Sequence, residues 1–568
     1  MNIPAILQAG RLRLMALLVV NGVAQASAAV GTALLVRSAF DRLVVPSQPA
    51  GANTTLWMGL GLLAAALLGA WLRMRERVDA ERLGQDYIYD VRLTLFDRLS
   101  TLRPRDLQRR SRGGTLLRFV GDLTALRQWA SLGVARLTVA AVTASVSLAA
   151  LALVDPTLAA VVGTALCAGA ALALVMGRRM EPAVREARKR QARLAANITE
   201  KIGAMGVVQV FGQYPRERRR IGRQAERLAE AMVGRARIAG GLRAVTEGTT
   251  AVATGAALLT GAYQAAAGNA TAGTVVAAMT VVGLLVPPLR DLGRVHEYWH
   301  GARVSRSKIN AFLAVPGCVE EPAGAPPLCP GLGWLAFEGV CVNGAVEQVT
   351  AAVKPGSKVA IVGPNGSGKS TLLALVARLV SPDEGAVVVD GQDLAGTSFD
   401  STRRLVGMVS PDLPLLRGSV RKNLLYRCPD ASPEEIDRVC DLCGLDEVLQ
   451  ELPQGMDTRL TEGGTNLSLG QRQRIALARA LMGSPRVLLL DEADANLDPK
   501  AAGVLNRVLS GFKGTVLMVT HRPDRLAAVE LIWHLEDGRL VESGSPRSLL
   551  GGAGPTRRLF GRGLALAS

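Results

Sequence analysis

Gly363-Pro364-Asn365-Gly366-Ser367-Gly368-Lys369-Ser370 decides how the C-terminal part of this chain is read. It satisfies G-x-x-x-x-G-K-S, and its flanks give the pattern meaning. Lys358 to Val362 is a short β-rich run into the loop, and Thr371-Leu372-Leu373-Ala374-Leu375-Val376 is a helical run out of it. Glycines in such a turn let backbone N–H groups wrap the β- and γ-phosphates of a nucleotide, and the N-terminus of the following helix adds positive potential. Lys369 supplies a point charge, and the Ser370 hydroxyl is suited to Mg²⁺. Residues Gly363 through Thr371 are therefore expected to hold ATP with Mg²⁺.

Val487-Leu488-Leu489-Leu490 reads as a second buried strand, and it ends in Asp491-Glu492. Two acids placed straight after an apolar run that must be buried are not a solvated strand end. Asp491 is positioned to hold Mg²⁺, often through water, and Glu492 to polarise an attacking water as general base. Strands alternating with helices make residues 334–568 an α/β P-loop nucleotide-binding domain.

The N-terminal half has a different composition. The 568-residue chain is 49% hydrophobic with a mean hydropathy of +0.23, yet carries a formal net charge of +18. Apolar and basic residues must therefore lie in different stretches. A membrane-crossing helix needs about 20 mostly apolar residues, and six candidates occur, at 14–36, 56–72, 132–154, 157–177, 245–267 and 271–289. The run after Arg11 and Arg13 is too long for a signal-peptide core and lacks a clear cleavage site, so it reads as a retained first span. Charged stretches of about 60 residues follow spans 2 and 4, one starting Arg73-Met74-Arg75-Glu76-Arg77, the other holding Arg178-Arg179 and Arg218-Arg219-Arg220.

Lys and Arg stay cytoplasmic, which puts both stretches and the C-terminal half in the cytosol and the spans in the cytoplasmic (inner) membrane, multi-pass. The basic charge flanks spans and has few aromatics between, so nucleic acid is not expected as a partner. Val91, Leu95 and Leu99, then Leu116, Phe119 and Leu123, recur at helical spacing. The first 313 residues thus read as a six-helix, all-α transmembrane domain with long cytosolic helical extensions, joined by a Pro- and Gly-rich linker at 314–333. Cytosolic ATP argues for free thiols, and Cys440-x-x-Cys443, with no second Cys or His pair nearby, reads as two small apolar residues one helical turn apart.

Leu467-Ser468-Leu469-Gly470-Gln471, Gln473-Arg474 and His521, added to the first loop and the two acids, give the chain its family resemblance. It resembles an ATP-binding-cassette (ABC) exporter half-transporter of the type I (type IV) fold, over nearly all its length. Arg112-Gly113-Gly114 through Asp122 looks like the family's first coupling loop, and Glu200 through Phe211-Gly212 like its second. The resemblance implies that two such chains pair, with each ATP held between the phosphate loop of one cassette and Ser468, Leu469, Gly470 and Gln471 of the other. It makes Glu492 the catalytic base and His521 the switch histidine near the γ-phosphate. Asn496-Leu497-Asp498 becomes the D-loop facing the partner.

Three positions depart from the family. Leu469 replaces the first glycine of L-S-G-G-Q and should hinder close approach to the partner's phosphate. Pro411 stands at the Q-loop position, where the family has a metal-contacting glutamine, and Asp412 beside it is a candidate substitute oxygen. Gly344 stands where an adenine-stacking tyrosine is usual, a contact worth about 1–3 kcal/mol, unless Trp334 compensates. These departures suggest a heterodimer: the chain keeps Glu492 and His521 but has the altered signature, so it would supply the catalytic base to the competent site and the altered face to the other. The alternative is a regulatory or scaffold half-transporter with little hydrolysis of its own. The cargo is not readable. Asn21, Gln25 and Glu247 are the polar candidates within the spans, an apolar cavity would suit a lipid or amphipathic molecule, and a first span so near the start argues against a peptide-trimming domain.

Overall fold

The computed structural model describes residues 3–43, 52–102, 118–315, 321–329, 331–495 and 497–564. Arg112, Gly113, Gly114 and Asn496 lie outside them, as does part of the expected linker. The chain divides into two compact units, Met1–Ser100 with Asp106–Pro316, and Thr101–Arg105 with Gly317–Ser568.

The first unit is helical: α1 (Ala9–Leu43), α2 (Ala52–Ser100), α3 (Ala135–Val154), α4 (Pro156–Gly177), α5 (Met180–Gly203), α6 (Tyr214–Ala266) and α7 (Ala272–Leu313). Among the described residues, Gly10–Arg42, Asn53–Ser100, Phe119–Val154 and Pro156–Gly177 are long and apolar enough to cross a membrane, by length and composition. The segments expected at 245–267 and 271–289 lie within α6 and α7, where Ala272–Gly283 is a shorter apolar stretch. The α3–α4 connection is a single residue because Asp155 caps α4, its Oδ1 accepting from the N–H groups of Thr157 (2.9 Å) and Leu158 (3.1 Å), with Pro156 at the first helical position. Arg11 explains why the N-terminus stays put: its guanidinium is buried, donates to the Ala5 and Ile6 carbonyls, and reaches Asp90 of α2 at 2.5 Å.

Small residues set the helix spacing, as they must where lipid offers no hydrophobic drive for association. A Cβ at Gly169 of α4 would lie 2.1 Å from Thr249 Oγ1 of α6, and one at Gly22 of α1 would lie 3.2 Å from Val142 Cβ of α3. Thr249 is β-branched and stiff, so Gly169→Ala is expected to destabilise the membrane unit by about 1–3 kcal/mol. Thermal unfolding of the solubilised chain measures this, and Thr249→Ala in the same chain should restore only part of the loss, because the Thr249 Cβ would itself stand 2.7 Å from the new Cβ.

The second unit has two main sheets. Strands β1 (Leu335–Val342), β2 (Val346–Val353), β4 (Glu384–Val389) and β5 (Gln392–Asp393) form an antiparallel sheet in the order β2-β1-β4-β5. Strands β3 (Lys358–Val362), β6 (Val406–Val409), β9 (Val487–Asp491), β10 (Thr515–Val519), β11 (Leu531–Glu536) and β12 (Arg539–Gly544) form the other, in the order β12-β11-β3-β10-β9-β6. There β6, β9, β10, β3 and β11 run parallel, with β12 an antiparallel edge; β7 (Gly418–Ser419) and β8 (Arg459–Leu460) pair separately. Every residue of β9 and β10 is buried, the signature of a parallel sheet covered on both faces.

Alternation along these strands separates two cores. Val359, Ile361, Leu489, Leu517 and Val519 pack with Leu372, Leu373, Leu375 and Val376 of α8 (Lys369–Val376). Ala360, Val362, Leu488, Leu490, Val516 and Met518 pack with Ile475, Leu477, Ala478 and Leu481 of α9 (Leu469–Leu481). Successive strand residues point to opposite faces, so α8 and α9 cover opposite faces of one sheet.

Candidate nucleotide site

The carboxyl ends of β3, β9, β10 and β6 share one edge of the parallel sheet, where ligands of open α/β sheets bind. The loop after β3 has its glycines in left-handed backbone, with φ of 144° at Gly363, 85° at Gly366 and 98° at Gly368. At two of them space demands glycine as well, since a Cβ at Gly363 would stand 2.0 Å from the Leu535 carbonyl oxygen and one at Gly368 2.4 Å from that of Ala345. Gly366 instead faces open space. Pro364 and Asn365 form the exposed crest, and Ser367 beneath them is buried with its Oγ lacking any protein partner.

Lys369, the first residue of α8, is buried, and its Nζ donates to the Gly363 (2.9 Å) and Pro364 (2.8 Å) carbonyls. Burial pushes its ammonium below the ordinary lysine range, against the pull of Glu492 and Asp491. Ser370 Oγ donates to Asp491 Oδ1 at 2.9 Å, and Ser410 Oγ to Asp491 Oδ2 at 3.3 Å. Burial raises the Asp491 carboxyl above the usual carboxylate range. The Ser370 and Ser410 hydrogen bonds oppose the rise, and the charges of Glu492 and Asp412 add to it. Thr371 follows in the buried first turn of α8.

Mg²⁺ prefers a few hard oxygen ligands with the remaining positions left to phosphate and water. Ser370 Oγ and Asp491, oxygen donors in contact where a carboxylate is disfavoured by burial, fit that preference. The orphaned Ser367 hydroxyl, the open space at Gly366 and the half-satisfied Lys369 ammonium likewise fit a polyphosphate. ATP would be held by the loop and α8, and Mg²⁺ by Ser370 and Asp491.

Glu492 follows β9 in a left-handed conformation, φ 49°, fixed by its N–H donating to the Val519 carbonyl at 3.1 Å. That conformation is costly for a residue with a side chain and is typical of functional sites. It brings Glu492 Oε1 to 3.7 Å from His521 Nε2, with both side chains more than 40% exposed toward the same edge. Behind them Thr520 Oγ1 donates to the buried Asp494, which also faces Arg525, tying the ends of β9 and β10 together.

The segment after β6 turns tightly: Leu413 N–H donates to the Ser410 carbonyl at 3.0 Å, with Pro411 at the second position and Asp412 at the third. Proline fixes the φ such a turn requires, so Pro411 exchanges a side-chain amide for rigidity. Asp412 is close enough to act on Asp491 electrostatically.

Ser468 and Gln471 start α9 with a capping box, Gln471 N–H donating to Ser468 Oγ (3.2 Å) and Ser468 N–H to Gln471 Oε1 (3.0 Å). Leu469, the first helical residue, has its side chain 43% exposed. Gly470 is held by space, since a Cβ there would lie 2.6 Å from Asp498 Oδ2. Asp498 caps α10 (Pro499–Gly511) through the Ala501 N–H at 2.6 Å.

Gly344, φ 72°, lies with Cys341, Asn343 and Gly366 on an open concavity of about 820 Å³ beside the phosphate loop. Among the described residues no aromatic side chain lines it. Trp334 does not compensate, because it precedes β1 at the opposite end, about 23 Å along the strand from Cys341.

Ser410 and Asp494 join the site without having been singled out, beside Ser367 and Gln473, which were. Gln473 donates its side-chain amide to the Ala493 carbonyl, linking α9 to the segment after Glu492. Ser410 and Asp494 carried no such local sequence signal. In the membrane unit, Asn21 Nδ2 donates to the Leu72 carbonyl (3.0 Å), Gln25 Nε2 to Glu76 (2.8 Å), and Glu247 pairs with Arg243 one turn away (3.0 Å). The six described cysteines are free. Cys440 and Cys443 are buried, which pushes their thiols up to about 11 and about 12.

Residues 13–289 match the family described as ABC transporter transmembrane region, and residues 346–495 the family described as ABC transporter. The ATP-dependent lipid A-core flippase of Thiobacillus denitrificans is 28% identical over 503 residues, 87% of this chain and 86% of that protein. The fatty acid ABC transporter ATP-binding/permease protein of Mycobacterium tuberculosis is 27% identical over 517 residues, 89% of this chain and 81% of that one. Among solved structures, a bacterial Atm1-family ABC exporter with ATP bound superposes with a TM-score of 0.85 at 25% identity, covering 97% of this chain and 98% of that chain.

Proposed function

The chain belongs to the ATP-binding-cassette exporter family, its transmembrane region and cassette fused in one polypeptide, and from that premise we propose that it is one half of a heterodimeric exporter. As a family member it binds ATP and couples its hydrolysis to export across the membrane, with the cassette on the cytosolic side. We count six crossings, the four helices above and the apolar parts of α6 and α7, within a membrane domain at 1–313, a linker at 314–333 and a cassette at 334–568.

The observation that carries the pairing is the placement of α8 and α9 on opposite faces of one sheet. A chain so built cannot turn its own Ser468–Gln471 onto its own phosphate loop, so a second cassette must complete the site. Bound MgATP supplies the phosphoryl group and a cation that spreads its charge. Lys369 and the loop N–H groups would hold the phosphates, and Ser370 and Asp491 would hold Mg²⁺. Glu492 would take a proton from the attacking water, and His521, 3.7 Å away, would orient it.

Unequal faces support a heterodimer over a homodimer. Lys369, Asp491, Glu492 and His521 are all present in one half-site, which departs from the family at Pro411 and Gly344, while Leu469 presents an exposed isobutyl group where the other half-site needs close backbone approach. Leu469→Gly in the assembled complex is expected to raise ATP turnover several-fold, by about 1 kcal/mol of barrier. Phosphate release by the complex measures it, and a chain that purifies alone as a fully active homodimer overturns the pairing. Relatives named for lipid A-core and fatty acid transport support an amphipathic, lipid-like cargo.

A further inference from the structure

We propose that Asp494 is a positioning residue for ATP hydrolysis, holding Glu492 and His521 at their working separation through the Thr520 hydroxyl; this rests on the roles given to those two residues above. Asp494 and Glu492 share one turn. Ala495 N–H donates to the Glu492 carbonyl at 3.1 Å, so Ala493 and Asp494 form the middle of a turn that begins at the base itself. His521 is enclosed in a second turn, because Arg522 N–H donates to Thr520 Oγ1 at 3.1 Å and closes the chain around the histidine.

A hydroxyl has a single proton to donate, and that of Thr520 goes to Asp494 Oδ2. One carboxylate therefore fastens the turn that aims the base to the turn that aims the histidine. The strands cannot do this. Asp491 is the last residue of β9 in register with β10, opposite Val519, and the Glu492 N–H on the Val519 carbonyl is the final backbone bond between the two chains before the turns diverge. Beyond it the separation of Glu492 from His521 is set by side chains.

Burial sharpens the contrast. The side chains of Glu492 and His521 are 44% and 43% exposed, while those of Asp494 and Arg525 are 3% and 4% exposed and Thr520 is wholly buried. An exposed pair has little packing of its own, so its order must come from the layer beneath. Asp494 Oδ2 stands 4.0 Å from Arg525 Nε, beyond hydrogen-bond reach, and that Nε has no hydrogen-bond partner among the described residues. Desolvating two charges outweighs an attraction so loosely made, and apolar residues of similar size often replace such pairs without loss. Stability therefore does not account for the pair, whereas geometry does. Arg525 donates to Asn506 of α10, so the group facing the carboxylate is anchored in the helix that Asp498 caps. Held by Thr520 on one side and faced by an anchored guanidinium on the other, Asp494 has one place to sit.

The test separates the link from the charge. In the assembled complex, Asp494→Asn with Arg525→Met removes both charges yet leaves an amide oxygen to accept from Thr520. Asp494→Ala with Arg525→Met removes the link as well, and neither variant leaves a buried charge unpaired. Phosphate release at saturating MgATP is expected to stay within about threefold of the parent in the first and to fall about 10- to 100-fold in the second, the scale of a small misplacement of catalytic groups. KM for ATP should move less than about twofold in both, because the phosphate loop is untouched. Thr520→Val keeps the side chain's shape without its hydroxyl and should show the same loss, which keeps the question open to measurement if the alanine chain does not assemble. Full turnover in the alanine or valine variant overturns the proposal. Equal losses in the asparagine and alanine variants also overturn it, since the charge pair rather than the link would then be the cause. Glu492→Gln is run alongside. If that complex turns over at the parent rate, the assignment of the base falls and the positioning role with it, whereas an inactive glutamine complex beside a fully active alanine complex sinks the positioning role alone.

Discussion

Glu492→Gln is expected to lower ATP turnover by the assembled complex at least about 10²-fold while leaving nucleotide binding within a few-fold of the parent. The magnitude follows from what the change removes. Glutamine keeps the volume and the neutral-state hydrogen bonding of the side chain but cannot take a proton from water. Glu492 has what a base needs: half its side chain is exposed at the sheet edge, next to a buried Asp491 and 3.7 Å from His521. The left-handed backbone that aims it is set by the Val519 carbonyl and is indifferent to a carboxylate becoming an amide. A regulatory half-transporter that hydrolyses little would show a different result, turnover nearly unchanged, because the partner's base would then carry the reaction. Phosphate release at saturating MgATP, with bound nucleotide counted in parallel, separates these outcomes.

Much of this arrangement is legible before any coordinates. The loop 363–370, the acids after β9 and the histidine after β10 are local patterns, each attached to the end of a buried apolar strand, and the parallel pairing of β3, β10 and β9 brings them to one edge. Capping chemistry is legible too: Asp498-Pro499 and Ser468-x-x-Gln471 announce the starts of α10 and α9. The part that was not legible depends on contacts distant in sequence. Ser410 reaches Asp491 from another strand 81 residues away, and nothing in Met408-Val409-Ser410 signals it. The requirement for glycine at 470 comes from Asp498, 28 positions on, although the pattern alone had made it a partner-facing residue.

The membrane unit resisted reading for a related reason. Asn21 and Gln25 stood out as polar residues in an apolar run, yet both spend their hydrogen bonds joining α1 to α2. Arg73, Glu76 and Arg77 read as the start of a cytosolic stretch, and hydropathy along one helix does not show that they also line a cavity with residues of α1 and α3. Which side of a long helix meets a neighbour is set by residues on that neighbour, and a single-helix pattern does not contain it.

Lys369→Ala is expected to weaken ATP binding by about 10²–10⁴-fold, the loss of two charge-assisted hydrogen bonds at about 1.5–3 kcal/mol each. The ammonium is buried, held by two loop carbonyls, and pushed down by desolvation. In the nucleotide-free protein it is therefore a cation stabilised only by dipoles and by the more distant Asp491 and Glu492. Phosphate oxygens give it the anionic partners that burial makes valuable. Two consequences separate a binding role from a structural one. Removing the lysine should leave the thermal midpoint of the nucleotide-free chain unchanged or slightly raised, because a desolvated charge is lost along with its two carbonyl contacts. The stabilisation by ATP, about 2.7 kcal/mol at a hundred times the dissociation constant, should vanish at the same nucleotide concentration. A variant that melts earlier without nucleotide and still gains the full shift with it would make Lys369 a strut for the loop, and the phosphates would have to be held by the backbone N–H groups of Gly366 to Ser370 alone.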